Sequence, residues 1–274
     1  MVPISKLFLP PPTLAGCVMA GIFRDTRGAD LSEPDRMNHF PASPLVSATL
    51  VQHGCLRVLP TGSGWEQAEK YPALRHRSAL PPLDTPVSSW APGDVVALTV
   101  GAFPDAWRAL GGDAECSKLP SALDQALDRF DAEDDAAKGW TAFCRKLEPT
   151  WQTARPDIWR PATRISDWAK ALTTRAALSG TGRSLRSIER RIKRFSGQTQ
   201  RSLAFYSAFE RLQERSGNAM GQSLADIAID AGYSDQSHMG RAVRRATGFS
   251  PAQLNKAIEN EEPFWCYRLL GERF

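Results

Sequence analysis

Proline is distributed very unevenly along this chain of 274 residues. Fifteen of the 20 prolines lie at or before Pro120, whereas the 89 residues from Ala162 to Ser250 contain none. A proline inside a helix costs about 3 kcal/mol, because it removes a hydrogen bond and collides with the preceding turn. The distribution therefore predicts a nearly all-helical region after Ala162, and short strands and turns before Pro120.

Residues 1–117 show the patterns typical of β-strands. In residues 44–60 apolar and polar side chains alternate, as expected for a strand with one buried face. The two sets are Val46, Ala48 and Leu50 on one face and Ser47 and Thr49 on the other. Residues 93–103, GDVVALTVGAF, form a nearly continuous apolar and β-branched run. Since both segments are bounded by proline or glycine, we predict a small β-sandwich or barrel.

Residues 118–160 are predicted to form a helical linker. Apolar side chains recur at helical spacing in two groups, which are Leu123, Leu127 and Phe130, then Trp140, Phe143 and Leu147. An acidic patch, Asp131 to Asp135, separates them. It lacks the spacing and the glycine of a calcium-binding loop, so we interpret it as a solvated loop or a helix start.

Positive charge is concentrated in the proline-poor region. Residues 164–258 carry 16 Lys and Arg against 7 Asp and Glu, whereas the whole chain has a net charge of only +4. Such a cation density is suited to a polyanion, because it can neutralise phosphates. A solvated basic surface without a partner is the alternative interpretation.

The remaining composition indicates no metal site, cofactor site or membrane segment. The longest apolar runs are far shorter than the roughly 20 residues that a membrane helix needs, and no leader pattern is present, so we expect a soluble cytoplasmic protein. The five cysteines form no C-x-x-C pair and are expected to be free and buried. His39, His53 and His76 are isolated in sequence, which favours structural roles over metal ligation. Three tryptophans are interpreted either as core residues or as the lining of an apolar ligand pocket, namely Trp65, Trp90 and Trp107.

The basic region contains a repeat. When Gly248 is aligned with Gly197, Ser234–Gly248 matches Arg183–Gly197 in character at nearly half of its positions. Each copy has the parts of a helix-turn-helix, and a helix over Leu203–Glu214 joins them. The first copy is preceded by a predicted helix from about Ser166 to Leu178.

The second copy gives the clearer helix-turn-helix pattern. Ser223 is expected to cap a helix with an apolar stripe of Leu224, Ile227 and Ala228, Gly232 to form the turn, and Ser234 to cap the next helix. A helical wheel divides both basic helices into a packed face and an outward face. The predicted packed faces are Leu185, Ile188, Ile192 and Phe195 in the first helix, and Met239, Ala242, Val243 and Ala246 in the second.

Residues Ser223–Leu254, which include GYSDQSHMGRAVRRATGFSP, closely resemble the second helix-turn-helix of AraC/XylS-type bacterial transcription regulators. Gly182–Leu203 is similar to the first. The resemblance covers about the last third of the chain. It implies an α+β protein, in which a β-rich, cupin-like sensor domain precedes an all-α DNA-binding domain with two helix-turn-helix units. The domains predicted on this basis are 1–117 (sensor), 118–160 (linker), 161–258 (DNA-binding) and 259–274 (a tail that folds back on one of the domains).

The resemblance also implies which residues contact DNA. The base-contacting positions fall on Arg186, Glu189, Arg190, Gln236, Ser237, His238 and Arg241. The phosphate-contacting candidates are Ser184, Lys193, Arg194, Ser223, Ser234, Arg244 and Arg245. No catalytic residue, metal or cofactor is implied.

We therefore predict a sequence-specific transcription regulator, not an enzyme, that binds double-stranded DNA with two helices in successive major grooves. A small-molecule effector, RNA polymerase and a second copy of the chain are the further partners that the resemblance suggests. Two other hypotheses stay open at this point. One is a cupin-like enzyme that modifies a small molecule and carries a DNA-binding module, and the other is an architectural protein without sequence preference.

Overall fold

The computed structural model describes residues 1–60, 62–180, 184–217, 229 and 231–271. Residues 1–102 contain two antiparallel sheets, one with the strand order β1-β2-β8-β4-β6 and the other with the order β3-β7-β5. The described strands are β1 (Ile4–Phe8), β2 (Val18–Asp25), β3 (Met37–Phe40), β4 (Val46–His53), β5 (Arg57–Pro60), β6 (Arg77–Leu80), β7 (Val87–Trp90) and β8 (Val96–Ala102). Helices dominate the chain after this point, so the predicted α+β class is confirmed.

The larger sheet is covered on both faces. Leu50, Leu98 and Val100 are buried in the same apolar cluster as Phe130 and Phe143 of the helices that follow. The opposite face carries small hydroxyl side chains, and there the register pairs the threonines of β4 and β8. The apolar half of the predicted alternation therefore packs against helices, and the polar half faces the smaller sheet.

The linker is helical, as predicted. Its helices, with a short one before them, are α1 (Pro104–Ala109), α2 (Ser121–Asp131) and α3 (Ala136–Ala154). Asp135, the last residue of the acidic patch, is the N-cap of α3, and its carboxylate accepts hydrogen bonds from the backbone N–H groups of Ala137 and Lys138. The interpretation of this patch as a loop and helix start is confirmed, since a carboxylate is favourable at a helix N-terminus.

The proline-poor region forms a helical bundle. Its described helices are α4 (Ile165–Leu178), α5 (Leu185–Ser196), α6 (Gln200–Gly217), α7 (Gln236–Thr247) and α8 (Pro251–Asn260). Glu210 of α6 is 3% exposed, and its two carboxylate oxygens accept the backbone N–H groups of Ile165 at 2.7 Å and Ser166 at 2.9 Å. A side chain from the middle of α6 thus caps the start of α4.

The β-rich half and the first helix-turn-helix are packed together. Trp168, Leu172 and Ile192 are buried in the same apolar cluster as the larger sheet. Asp105 of α1 accepts a hydrogen bond from the Trp168 indole at 2.8 Å and forms an ion pair with Arg175 at 2.9 Å. These contacts fix the first helix-turn-helix against the β-rich half.

The C-terminal tail folds back, as predicted. A short 3₁₀ turn (Glu262–Phe264) leads into helix α9 (Trp265–Gly271), which packs against β1 and β3. The Trp265 indole donates a hydrogen bond to Asn38 Oδ1 at 2.7 Å. The tail therefore contacts both the β-sheets and the helical bundle.

The three tryptophans are core residues. Trp90 and Trp107 are 5% and 1% exposed, and Trp65 packs on the cluster that contains Trp90. None of the three is among the residues that line the cavity between the two sheets, which favours the core interpretation. All five cysteines are free, and four of them are buried. Within the described ranges, no helix has the length and apolar character required to cross a membrane.

Candidate nucleic-acid interface

Helix α5 has defined caps at both ends. The Ser184 hydroxyl accepts the backbone N–H of Ser187 at 3.3 Å, and Gly197 ends the helix with φ 74°. A left-handed C-cap favours glycine, because a Cβ is disfavoured at positive φ. Ile188 and Phe195 are half-buried and Ile192 is fully buried. The prediction for these three packed residues is confirmed, but it was wrong for Leu185.

Leu185 is 80% exposed, although the wheel places it on the packed face. It is the first residue of α5, so it has no turn of helix before it to bring it against the bundle. Arg191, for which the sequence pattern carries no prediction, is buried instead. This arginine is 8% exposed, and its guanidinium donates a hydrogen bond to the Ala176 carbonyl of α4 at 2.6 Å.

The outward face of α5 is basic and exposed. It carries the predicted base-contacting residues Arg186, Glu189 and Arg190, and then Lys193 and Arg194. Arg194 is less available than the others, because its guanidinium lies 5.4 Å from the Phe195 ring. Its carbonyl, at the end of the helix, also accepts a hydrogen bond from Arg108 of α1.

Helix α7 has the same construction. Its N-cap is Asp235, whose carboxylate accepts the backbone N–H of His238 at 2.7 Å, and Gly248 ends it with φ 85°. The prediction of Ser234 as the cap was wrong by one residue. The Ser234 hydroxyl instead donates to the Asp235 carboxylate at 2.9 Å. The hydrogen bonds from the His238 backbone and from Ser234 hold the pKa of Asp235 below its usual range.

The two faces of α7 agree with the wheel. Met239, Ala242, Val243 and Ala246 are buried. The opposite side is exposed and carries the predicted base-contacting residues, which are Gln236, Ser237, His238 and Arg241. Arg244 and Arg245 follow in the last turn of the helix and are also exposed.

Two of these side chains are oriented by neighbours. The His238 ring packs edge-on against Tyr233 at 5.3 Å, and its Nδ1 lies 3.2 Å from the Ser234 hydroxyl. The Arg245 guanidinium lies 4.2 Å from the ring of Phe205 on α6. Since stacking of this kind is stabilising, Arg245 is the weaker phosphate candidate and Arg244 the stronger.

The described salt bridges of this half do not involve the predicted DNA-contacting cations. They join Arg164 to Glu214, Lys170 to Asp167 and Arg175 to Asp105.

The first helix of the second unit stays a prediction, because its expected cap and apolar stripe lie outside the described residues. These residues are Ser223, Leu224, Ile227 and Ala228. The described outward faces of α5 and α7 are thus two capped, predominantly basic surfaces.

The comparison with protein families agrees with this geometry. Residues 179–257 match the family model described as a helix-turn-helix domain. No curated protein matches the chain. Similar solved structures include ToxT from Vibrio cholerae O395, with 13% identity over 80% of this chain and 92% of that one, at a TM-score of 0.37. A 1.65 Å structure of ToxT from Vibrio cholerae is 11% identical over 92% of this chain and 97% of that one, at a TM-score of 0.39.

The matched segment contains α5, α6 and α7 and most of α8, and therefore both basic helices with their caps. Residues 179–257 are thus a helix-turn-helix domain.

Proposed function

We propose that this protein is a sequence-specific DNA-binding transcription regulator. The observation that carries the proposal is the pair of exposed basic faces on α5 and α7, each fixed by a capping side chain and a left-handed glycine, within a helix-turn-helix domain. A helix of this kind fits the major groove, where its N-terminal residues contact base edges.

The side chains on the two faces suit different tasks. Arg186, Arg190 and Arg241 can each bond two acceptors of a guanine, and Gln236 can bond an adenine in the same bidentate way. Lys193 and Arg244 lie towards the ends of their helices, where phosphate contact is the simpler role. This division supports sequence recognition over purely electrostatic binding.

We further propose that the sensor half modulates DNA binding. It touches the second unit directly, because the Ala42 N–H donates a hydrogen bond to the Ala246 carbonyl of α7 at 2.7 Å. The Tyr206 hydroxyl of α6 also donates to the Leu83 carbonyl at 3.2 Å. A conformational change in the sensor half can therefore reach the helical bundle through these direct contacts.

A regulatory role is favoured over catalysis by the chemistry of the cavity in the sensor half. Its described lining contains hydroxyls and apolar groups but no carboxylate, imidazole, lysine or arginine. The Cys266 thiol is its remaining ionisable group, and burial raises the pKa of that thiol to about 12. Such a lining can bind a ligand but lacks an evident general acid or base. RNA polymerase and a second copy of the chain stay predictions as partners.

The proposal is tested by selecting a preferred site from random DNA and then measuring the affinity of variants for it. Arg190→Ala and Arg241→Ala should each weaken binding by about fivefold or more, since one bidentate base contact is worth about 1–3 kcal/mol. The matched control is Lys170→Ala with Arg201→Ala, which removes two exposed cations from α4 and α6. This control should weaken binding much less.

The proposal fails if the Arg190→Ala, Arg241→Ala double variant binds the selected site as tightly as the unmodified protein does. If the selection returns no motif and affinity follows salt concentration alone, the architectural hypothesis is correct instead.

A further inference from the structure

A cavity of about 190 Å³ lies between the two sheets. Its walls come from β2, β4 and β8 of the larger sheet and from β3, β5 and β7 of the smaller one, with Cys266 and Leu270 of helix α9 closing part of it. A buried cavity of about 150 Å³ lined by apolar side chains is known to hold benzene. This cavity is therefore large enough for a substituted single ring.

The lining is mainly apolar, with hydroxyl groups contributed by both sheets. Met19, Ile22, Phe40, Val58 and Leu80 supply much of the apolar surface. The hydroxyls belong to Ser43, Ser47, Thr49, Ser88, Ser89 and Thr99. Thr49 and Thr99 are 3.0 Å apart and hydrogen-bond to each other, so they can also accept or donate to a third hydroxyl.

The described lining contains no cation, so it favours a neutral ligand. A carboxylate inside it would lose its hydration without gaining an ion pair, and that desolvation costs several kcal/mol. A neutral molecule with one hydroxyl can instead bury its ring against the apolar walls and bond its hydroxyl to the threonine pair.

Helix α9 is shared between this cavity and the second helix-turn-helix. Cys266 and Leu270 line the cavity, whereas Tyr267 packs in the apolar cluster that contains Met239 and Val243 of α7. A ligand that touches Cys266 and Leu270 therefore touches a helix whose Tyr267 belongs to the same apolar cluster as the packed face of α7.

Both ends of this segment are anchored. Arg24 of β2 pairs with Glu262 and lies 4.9 Å from the ring of Trp265, which ties the segment to the larger sheet. The Arg268 guanidinium donates to the carbonyls of Ile258 at 2.8 Å and Glu261 at 2.9 Å, which ties it to α8. A displacement of α9 must therefore move either the sheet or the DNA-binding helices.

We propose that the cavity binds a small, neutral, predominantly apolar molecule of single-ring size, and that α9 is the wall through which its occupancy reaches α7. This inference rests on the proposed function for its regulatory meaning, but the binding site itself does not.

The binding site is tested by isothermal titration calorimetry on the full chain without DNA. The probe is 4-methylbenzyl alcohol, and its charged counterpart is 4-methylbenzoate, which has nearly the same shape. The alcohol should bind at least about tenfold more tightly than the carboxylate, because only the carboxylate must be desolvated as an ion. Equal binding of the two, or no binding of the alcohol, would overturn the proposal.

Cavity-filling variants locate the site. Val58→Phe should abolish binding of the alcohol, and Leu80→Phe serves the same purpose if the first variant does not fold. Ile4→Phe is the matched control, since it adds the same ring on β1 at a side chain that is 45% exposed and does not line the cavity. Unchanged binding in a folded filling variant would place the ligand elsewhere and overturn the proposal.

The role of α9 is tested by thiol labelling of Cys266 in a Cys55→Ser background, which removes the half-buried cysteine. A Cys55→Ser, Cys266→Ala variant gives the labelling due to the other thiols. Saturating 4-methylbenzyl alcohol should slow Cys266 labelling severalfold, because the ligand contacts the helix that must move to expose the thiol. An unchanged rate would refute this role. A chain that binds the alcohol but no DNA would refute the proposed function and leave the binding site standing.

Discussion

His39 is expected to make the stability of the protein fall as the pH falls below about 6.5. This residue lies on β3, at the contact between the sensor half and the second helix-turn-helix. Its ring lies 4.8 Å from that of Phe264 and 5.8 Å from that of Phe249, and its Nδ1 is 2.8 Å from the Ser88 hydroxyl. Burial among these groups lowers the pKa of His39 from 6.5 to about 4.

The direction of the effect follows from the two pKa values. The unfolded chain binds the proton near pH 6.5, whereas the folded protein resists it until about pH 4. The stability contributed by neutral His39 is therefore complete above the unfolded pKa and is lost progressively as the pH falls towards the folded value. At about pH 5, some 1.5 pH units below the unfolded pKa, the loss amounts to about 2 kcal/mol.

The measurement is urea unfolding at about pH 7.5 and about pH 5, analysed by linear extrapolation. His39→Gln is the comparison variant, because glutamine can keep a hydrogen bond to Ser88 but does not titrate. Wild type should lose about 2 kcal/mol more than the variant between the two pH values. Acidic groups with lowered pKa values, such as Asp25 and Asp235, contribute equally to both proteins. If wild type and His39→Gln respond equally to pH, the argument from burial of the ring is refuted.

Three further predictions concern stability and are checked by the same urea assay. Glu210→Gln should destabilise the protein by about 1–3 kcal/mol, because it weakens the cap of α4 and leaves buried polar groups poorly paired. The control, Glu259→Gln on the exposed face of α8, should change the free energy of unfolding little. Gly197→Ala should lower the free energy of unfolding by about 1 kcal/mol, because an alanine is disfavoured at the positive φ of this position. Gly240→Ala should raise it by about 0.5–1 kcal/mol, because Gly240 lies inside α7 and the space around the new Cβ is open. Equal effects of the two substitutions would refute this argument from backbone conformation. Asp105→Asn should destabilise by about 3 kcal/mol, since it leaves the nearly buried Arg175 without its carboxylate, and a neutral result would mean that this ion pair is dispensable.

The secondary structure of the DNA-binding half was predictable because local chemistry determines it. Ser184 and Gly197 have the residue types that cap a helix, and in the structure they cap the two ends of α5. Apolar residues at helical spacing also gave the packed face of α7 correctly. These features depend on neighbours within a few positions, so one sequence contains most of the information.

The structure differs from the sequence-based expectation where two neighbouring residues are almost equally good caps. It also differs where the contact partner of a side chain is distant in the sequence. Ser234 and Asp235 are both good N-caps, and burial of the preceding Tyr233 ring accompanies the choice of Asp235. Arg191 can be buried because a carbonyl 15 residues earlier in the chain accepts a hydrogen bond from its guanidinium group. A helical wheel contains neither the neighbouring helix nor its free carbonyls, so it could not identify this contact.

The cavity illustrates the same limit for the sensor half. The alternation in β4 correctly separated Val46, Ala48 and Leu50 from Ser47 and Thr49, but the pattern by itself would leave the hydroxyl face to solvent. In the structure a second sheet lies over that face, and a helix more than 200 residues later in the chain closes part of the space between them. Small hydroxyl side chains leave a gap where larger apolar ones would have filled it. The ligand site thus follows from which surfaces the topology brings together, and its connection to α7 through α9 could not be obtained from either segment alone.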